Sequence, residues 1–291
     1  MKKKALITIG CSFTEGVGCY DYTQLPIGKS VTDLTDDEFA EYYGSQLDNF
    51  LEGSWGTHLA KLLNYDLHIN CGIGGSANSH QLKNFMDTMV DWPDLSEYEV
   101  LVMWQMTYSH RFSFYGNGKP LSYGFNNTNK FDKLQDEDIL GNPNNLVKSF
   151  IHSMGDGLFQ NTSLESLFHL RCLIEICKSN GYNFLFSTVN DDILDDTISE
   201  YLNEDYLNKY IKIYDLKNKK HHSPLHSAFE GYETAHCGHP TSDGYKNQAN
   251  EYFNWIRNVS AELISKNKNV RFKAIPMNRD YNIITNGKRL K

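Results

Sequence analysis

The chain has 291 residues, enough to bury the core of one large α/β domain. Its 28 lysines and arginines stand against 36 aspartates and glutamates, which gives a formal net charge of -8 at pH 7. This acidic balance excludes nucleic acid and anionic membranes as expected partners, because both select a basic protein surface.

The N-terminal sequence MKKKALITIGC has a basic start and a short apolar run, as a signal peptide does. The run is about six residues long, below the 7–15 that a signal peptide needs. No segment approaches the ~18 apolar residues of a membrane span. We therefore expect no signal peptide or transmembrane segment, and a cytoplasmic or virion-associated protein.

Apolar runs alternate with helical patterns along the chain, which is typical of βαβ units around a mostly parallel sheet. This alternation predicts an α/β protein, a three-layer α/β/α sandwich with about five strands. Strands are predicted at 5–9, 66–70, 99–104, 183–189 and 210–214. Helices are predicted at 54–64, 78–90, 145–153, 163–179, 196–209 and 242–265.

Two polar stretches interrupt the alternation, at 19–52 and 113–143. Long loops inside a compact domain are usually lids, binding loops or disordered segments, so both are interpreted as insertions over the sheet. The prediction is one domain over 1–265, followed by a basic, polar tail at 266–291 that wraps around the domain or frays.

The first strand leads into the sequence GCSFTEG, which places a thiol and a hydroxyl where a helix begins. Ser12 at this position is either an N-cap or a nucleophile activated by its surroundings. Cys11 is a second candidate nucleophile, because helix N-termini lower the pKa of thiols. A small buried hydrophobic side chain is the favoured interpretation of Cys11.

Two further motifs lie next to predicted elements. One follows the second predicted strand, and the other precedes the last predicted helix. NCGIGGSANSH begins at Asn70, and its glycines allow the backbone to approach a ligand closely. GHPTSDG holds His239 on a short loop, and a histidine within reach of a serine can activate it.

Together the three motifs resemble those of the SGNH (GDSL-type) hydrolase superfamily. Gly10 to Gly16 resembles its GDSxTxG block, with Cys11 replacing Asp; Asn70 to Gly75 resembles NxGxxG; and His236 to Pro240 resembles DxxHP. The blocks occur in the family order. The resemblance implies a flavodoxin-like α/β/α sandwich and a serine esterase without a cofactor or metal.

The resemblance implies that Ser12 is the nucleophile and that His239 is the general base. The oxyanion hole would use backbone N–H groups of Ser12 and Gly75. The Asn of the family's third block is absent, so the third donor would be Thr107, with Gln105 as the alternative. Losing one such donor costs about a hundred- to a thousand-fold in rate.

The acid of the third motif is also absent, because His236 occupies the position of the family's Asp. Glu233 and Asp243 are the candidate orienting acids. A backbone carbonyl holding the histidine in a Ser–His dyad is the remaining alternative.

The implied substrate is a small acyl ester, such as an O-acetyl group on a carbohydrate. Asn78, Arg111 and the two insertions are predicted to shape its pocket. The alternative is a catalytically weakened, carbohydrate-binding or structural module on the same fold, in a virus or mobile element. The oligomeric state is left open.

A metal site is the last alternative, suggested by a group of histidines and one cysteine. Their spacing lacks the i, i+4 pair of a helical zinc site, so no metal is predicted. The group comprises His221, His222, His226, His236, His239 and Cys237.

Overall fold

A parallel sheet built of five strands lies at the centre of the described chain. The computed structural model describes residues 2–91, 95–107, 111–116, 119–124, 156–189, 233–259, 261, 264, 273–276, 284–285 and 288–289. The strands are β1 (Lys3–Gly10), β2 (Leu67–Gly72), β3 (Tyr98–Met106), β4 (Arg111–Gly116), β5 (Lys119–Gly124), β6 (Asn183–Thr188), β7 (Lys273–Pro276), β8 (Ile284–Thr285) and β9 (Lys288–Arg289).

The order of the central sheet is β6-β3-β1-β2-β7, and every neighbouring pair is parallel. The four predicted strands at 5–9, 66–70, 99–104 and 183–189 are confirmed with small shifts in their bounds. The first four strands of this sheet in chain order are β1, β2, β3 and β6. Their spatial order, β2-β1-β3-β6, is the flavodoxin-like arrangement. Strands β4 and β5 pair as a separate antiparallel hairpin, as do β8 and β9.

The fifth strand corrects the prediction for the C-terminus. Strand β7 lies in the stretch predicted to be a tail, and it pairs with β2 from Leu67 to Asn70. The sheet is therefore completed beyond residue 265, at the β2 edge. The strand predicted at 210–214 lies outside the described residues, as do the helices predicted at 145–153 and 196–209.

The helices are α1 (Ser12–Glu15), α2 (Asp36–Ser45), α3 (Leu47–Gly53), α4 (Trp55–Leu63), α5 (Asn78–Asp91), α6 (Asp156–Ser179) and α7 (Ser242–Val259). The predicted helices at 54–64, 78–90 and 163–179 are confirmed, the last with an earlier start. Helix α7 confirms the helix predicted from residue 242, but it ends before the predicted residue 265. None of the described helices has the length and apolar character required to span a bilayer.

Alternate side chains of the strands point to opposite faces of the sheet, and each face is covered by helices. Ile7 and Val102 belong to the core cluster formed with α5 and α6. Leu6 and Leu101 belong to the cluster formed with α4 and α7. The predicted three-layer α/β/α sandwich is therefore the observed architecture.

The insertion at 19–52 is helical rather than an open lid or loop. It contains α2, α3 and two short 3-10 turns at Tyr22–Gln24 and Val31–Asp33. Thr35 begins α2 with a capping box to Glu38, which satisfies backbone donors at the helix start. Its own small core holds Tyr43 and Phe50 against Val17 of the turn that follows α1. Of the insertion at 113–143, the described part forms the β4–β5 hairpin.

A chain of buried side-chain hydrogen bonds ties α1 to the sheet and to α7. The Thr14 hydroxyl donates to Gln105 Oε1 at 3.0 Å, and Gln105 Nε2 donates to the Tyr252 hydroxyl at 3.1 Å. The Tyr252 hydroxyl also lies 2.5 Å from Ser187 Oγ. These polar groups are buried, so each depends on its partner for satisfaction.

Replacing Tyr252 by Phe is expected to lower the free energy of unfolding by about 1–3 kcal/mol, because a buried amide donor loses its acceptor. Urea unfolding followed by circular dichroism measures this loss. The matched control is Tyr22→Phe, at an exposed tyrosine, which should change stability by less than about 0.5 kcal/mol. Equal effects of the two substitutions would contradict this account of the buried network.

Candidate active site

The motif residues meet at the carboxyl edge of the sheet, where open α/β proteins bind ligands. Ser12 follows the end of β1 by two residues, and Thr107 directly follows β3. The register pairs Gly10 with Gly72 of β2 and with Gln105 of β3. The three strand ends therefore lie side by side.

Ser12 is the first residue of α1 and does not serve as its N-cap. That position belongs to Cys11, whose carbonyl accepts from the N–H groups of Thr14 and Glu15 at 3.0 and 2.9 Å. The Ser12 hydroxyl is thereby left for another partner. Its Oγ lies 2.7 Å from His239 Nε2, the two residues being 227 positions apart in the chain.

Cys11 is fully buried and packs with Val189 and Phe13. This placement agrees with its interpretation as a small hydrophobic side chain. Cys11 has no access to solvent, whereas the Ser12 hydroxyl contacts the histidine. Ser12 is therefore the stronger candidate nucleophile of the pair.

His239 is held by a tight turn that precedes α7. Thr234 and Pro240 form an antiparallel bridge, and Ala235 N–H donates to the His239 carbonyl at 2.8 Å. Gly238 takes a φ of +75° at the tip, a conformation that glycine adopts without strain. The Phe13 ring packs against the imidazole with their centroids 4.9 Å apart. The ring is thus fixed from the backbone side and from the nucleophile turn.

Burial lowers the pKa of His239 from its ordinary 6.5 to about 4. A backbone hydrogen bond to Cys237 acts in the opposite direction, while the charges of Arg111 and His236 lower the pKa further. The imidazole is therefore neutral at pH 7. A neutral Nε2 beside a hydroxyl can accept its proton.

Neither predicted orienting acid contacts His239 among the described residues, so these two assignments are corrected. Asp243 is exposed in the first turn of α7 and bonds to Lys246 at 2.8 Å. Glu233 is exposed at the start of the turn, where its backbone carbonyl accepts from Thr241 N–H. His239 Nδ1 instead lies 3.3 Å from Cys237 Sγ.

The glycine loop after β2 lies against the nucleophile turn. A Cβ on Gly74 would stand 3.8 Å from Ser12 Cβ, so the two backbones are near neighbours. Gly75 follows with a φ of +70° and open space around its Cα. The structure thus places Gly75, the predicted oxyanion-hole residue, in an exposed turn beside Ser12.

Glu15 holds this loop in place and was missed by the sequence reasoning. Its carboxylate is 3% exposed and accepts from Gly74 N–H at 2.6 Å and from the Tyr43 hydroxyl at 3.3 Å. The Gly74 N–H is thereby occupied, and the helical insertion is tied to the site through Tyr43. An acidic residue inside an otherwise uncharged turn is the sequence signal that could have indicated it.

Asn78 is buried and its side-chain amide is bonded within the protein, which corrects its predicted role in substrate binding. It is 1% exposed, its Oδ1 accepts from Thr107 N–H at 2.9 Å, and its Nδ2 donates to Ser166 Oγ at 3.0 Å. Asn78 therefore clamps Thr107 to α5 and α6. The Thr107 hydroxyl is buried and has no hydrogen-bond partner among the described residues.

Gln105 is likewise committed to the structure, because both ends of its amide bond to Thr14 and Tyr252. Both ends of the amide predicted as the alternative oxyanion donor are therefore occupied. Arg111, at the start of β4, is partly buried, and its Nη1 lies 3.5 Å from the Ser76 carbonyl. The positive charge of Arg111 lowers the pKa of His239, so Arg111 lies close to the candidate site.

Among the described residues, no group of three His, Cys, Asp or Glu side chains is arranged to hold a metal ion. His221, His222 and His226, the other histidines of that alternative, lie outside the described residues.

No family model and no curated protein matches the sequence. Among solved structures, the chain is similar to a protein from Desulfitobacterium hafniense DCB-2 that is assigned to the lipolytic G-D-S-L family. The TM-score is 0.37 at 15% identity, over 87% of this chain and 99% of that chain. A likeness this distant does not establish an activity.

Replacing Glu15 by Ala is expected to free the glycine loop, because the Gly74 N–H loses its buried acceptor. We expect amide exchange at Gly74 to rise at least about tenfold and the free energy of unfolding to fall by about 1–3 kcal/mol. Exchange is read by NMR, and the control is Glu165→Ala, at a half-exposed glutamate of α6. Unchanged exchange at Gly74 in Glu15→Ala would refute the anchoring role.

His239 is expected to titrate near pH 4, which NMR of its ring protons can follow. Because an unfolded histidine titrates near 6.5, the unfolded chain binds this proton first. The contribution of His239 therefore reduces stability as pH falls from about 6.5 to 4. His239→Gln should weaken that pH dependence, whereas a midpoint near 6.5 in the folded protein would contradict a partly buried, neutral base.

Proposed function

We propose that the chain is a serine hydrolase of the SGNH (GDSL-type) superfamily that cleaves a small acyl ester. The observation that carries this proposal is the 2.7 Å contact between Ser12 Oγ and the Nε2 of a partly buried, neutral His239. A nucleophile and base within hydrogen-bond reach are what covalent acyl transfer requires. The order of the three motifs along the chain supports the same family.

In the first half-reaction, Ser12 Oγ attacks the ester carbonyl while its proton passes to His239 Nε2. The tetrahedral intermediate then collapses, and the imidazolium returns the proton to the leaving alcohol. Water attacks the acyl-Ser12 ester in the second half-reaction with the same base. The acid leaves and the free serine is restored.

The oxyanion would be stabilised by the backbone N–H groups of Ser12 and Gly75 and by the Thr107 hydroxyl. Ser12 N–H lies at the start of α1, where backbone donors lack intrahelical acceptors. The Thr107 hydroxyl is buried without a described partner. An oxyanion would satisfy such a donor in a site of low dielectric constant, where the interaction is strongest.

The low pKa of His239 affects both activation and rate. A base with a pKa of about 4 remains unprotonated well below pH 7, but it attracts the serine proton weakly. We therefore expect a slow hydrolase whose rate is retained into mildly acidic conditions.

Two features favour an O-acetylated carbohydrate as the substrate. The insertion brings Tyr20 and Tyr22 next to His236 of the histidine turn, with ring centroids 4.7 and 6.1 Å away. Tyr22 is 46% exposed, and exposed aromatic rings suit sugar faces. Arg111 beside the site could bind an anionic group of the same molecule.

The alternative is a carbohydrate-binding or structural module that has lost catalytic power. The observation favouring it is that, among the described residues, no carboxylate contacts His239. On this alternative the same tyrosines would bind the sugar without turnover.

Hydrolysis of p-nitrophenyl acetate, butyrate and octanoate and of an O-acetylated xylan tests the proposal. We expect acetate to be preferred, and Ser12→Ala and His239→Ala to lose at least about a thousand-fold in kcat. Cys11→Ser is the control for a thiol nucleophile and should retain activity. Turnover that survives Ser12→Ala would refute the mechanism. Binding of the xylan without hydrolysis by the wild-type chain would favour the alternative.

A further inference from the structure

The Nδ1 side of His239 is occupied by a residue that the family motif does not assign. Cys237 Sγ lies 3.3 Å from Nδ1, on the opposite side of the ring from the 2.7 Å contact to Ser12. The Cys237 backbone also hydrogen-bonds to the imidazole. One residue therefore contacts the ring where a carboxylate stands in a Ser-His-Asp triad.

The turn that carries His239 explains this placement. Gly238 N–H donates to the Ala235 carbonyl at 2.8 Å, and Gly238 has a φ of +75°. This geometry reverses the chain between Cys237 and His239. The cysteine is exposed, but its side chain also hydrogen-bonds to Tyr20 of the insertion, which restrains the thiol.

We propose that Cys237 is the positioning residue of His239, its Sγ accepting the Nδ1–H and so holding the tautomer that leaves Nε2 free to take the Ser12 proton. This inference rests on the proposed function for its catalytic meaning. In the reaction only the Ser12 proton moves, from Oγ to Nε2 and back. The Nδ1 proton stays between the ring and Cys237.

The tautomer of His239 decides whether Nε2 can accept the Ser12 proton, because neutral imidazole carries its proton on only one nitrogen. If the proton sat on Nε2, that nitrogen could not accept from Ser12. In a triad, the carboxylate fixes the tautomer and also stabilises the imidazolium. A neutral sulfur acceptor supplies the first effect without the second, which is consistent with the low pKa of His239.

Several ionisable groups face this pair from the surrounding elements. Arg111 and His236 act on His239, and both lower its pKa. Cys19, Tyr20, Tyr22 and Tyr245 interact with Cys237. None of these groups is a carboxylate, so Cys237→Asp places a negative charge on the Nδ1 side of the ring that they do not supply.

The test compares Cys237→Ala, Cys237→Ser and Cys237→Asp in the full chain, with Thr234→Ala as the control at an exposed side chain of the same turn, where tautomer, pKa and kcat should stay at their wild-type values. Ring ¹⁵N shifts of His239 report its tautomer and its pKa without any reaction. Steady-state hydrolysis of p-nitrophenyl acetate gives kcat and KM separately. Circular dichroism establishes that each variant is folded.

We expect the wild-type ring to be protonated on Nδ1, and Cys237→Ala to shift population toward the Nε2–H tautomer. Its kcat should fall about tenfold, within the range of acid–base effects, with KM unchanged. Cys237→Ser should retain most of the activity. Cys237→Asp should raise the pKa of His239 by about 1–3 units.

A Cys237→Ala variant with wild-type tautomer, pKa and kcat would overturn the proposal. A tautomer shift in a chain that hydrolyses no ester would support the positioning role and refute the proposed function. The two failures are therefore distinguishable.

Discussion

The hydrogen bond between Ser12 Oγ and His239 Nε2 is the contact on which the candidate site depends. It joins the turn after the first strand to the loop before α7, across 227 positions of sequence. Neither residue alone distinguishes a catalyst from a capped turn or a structural histidine. They approach to 2.7 Å because the parallel sheet brings its strand ends to one edge, and the turn before α7 reaches the residues that follow β1.

Most of the polar side chains around this pair act as supports. Glu15 anchors the glycine loop, Asn78 clamps Thr107, and Gln105 links Thr14 to Tyr252. The physical reason is common to all three: buried polar groups must be satisfied, so these side chains bond to neighbouring backbone and side-chain groups. The groups left for chemistry are the Ser12 hydroxyl, the exposed glycine turn and the Thr107 hydroxyl, which has no hydrogen-bond partner among the residues that the structure describes. Among the described residues no carboxylate contacts His239, and burial gives the site a neutral, weakly basic histidine.

Sequence patterns predicted the layers and four strands of the sheet, because period-2 and period-3.6 burial leave a direct trace in residue order. The pairing of Ser12, the glycine loop and His239 was predictable from motif order. The strand Lys273–Pro276 was missed because a four-residue edge strand carries too short an apolar run to stand out. The helices of the 19–52 insertion were missed because most of their residues are polar, and only a few apolar residues around Phe50 form their small core. The contacts of Asn78, Gln105 and Glu15 are set in three dimensions, so residue type alone suggested catalytic or substrate roles for the first two and nothing for the third.

Covalent labelling of the folded chain with a fluorophosphonate, followed by peptide mass mapping, tests the central claim most directly. An activated serine should take up one phosphonyl group per chain at Ser12, and labelling should persist in Cys11→Ser and disappear in His239→Ala. Labelling should also continue at pH 5.5, where an ordinary histidine base would be mostly protonated and this buried one would not. Folded protein that remains unlabelled, or that is labelled independently of His239, would contradict the serine–histidine pair as a catalytic unit.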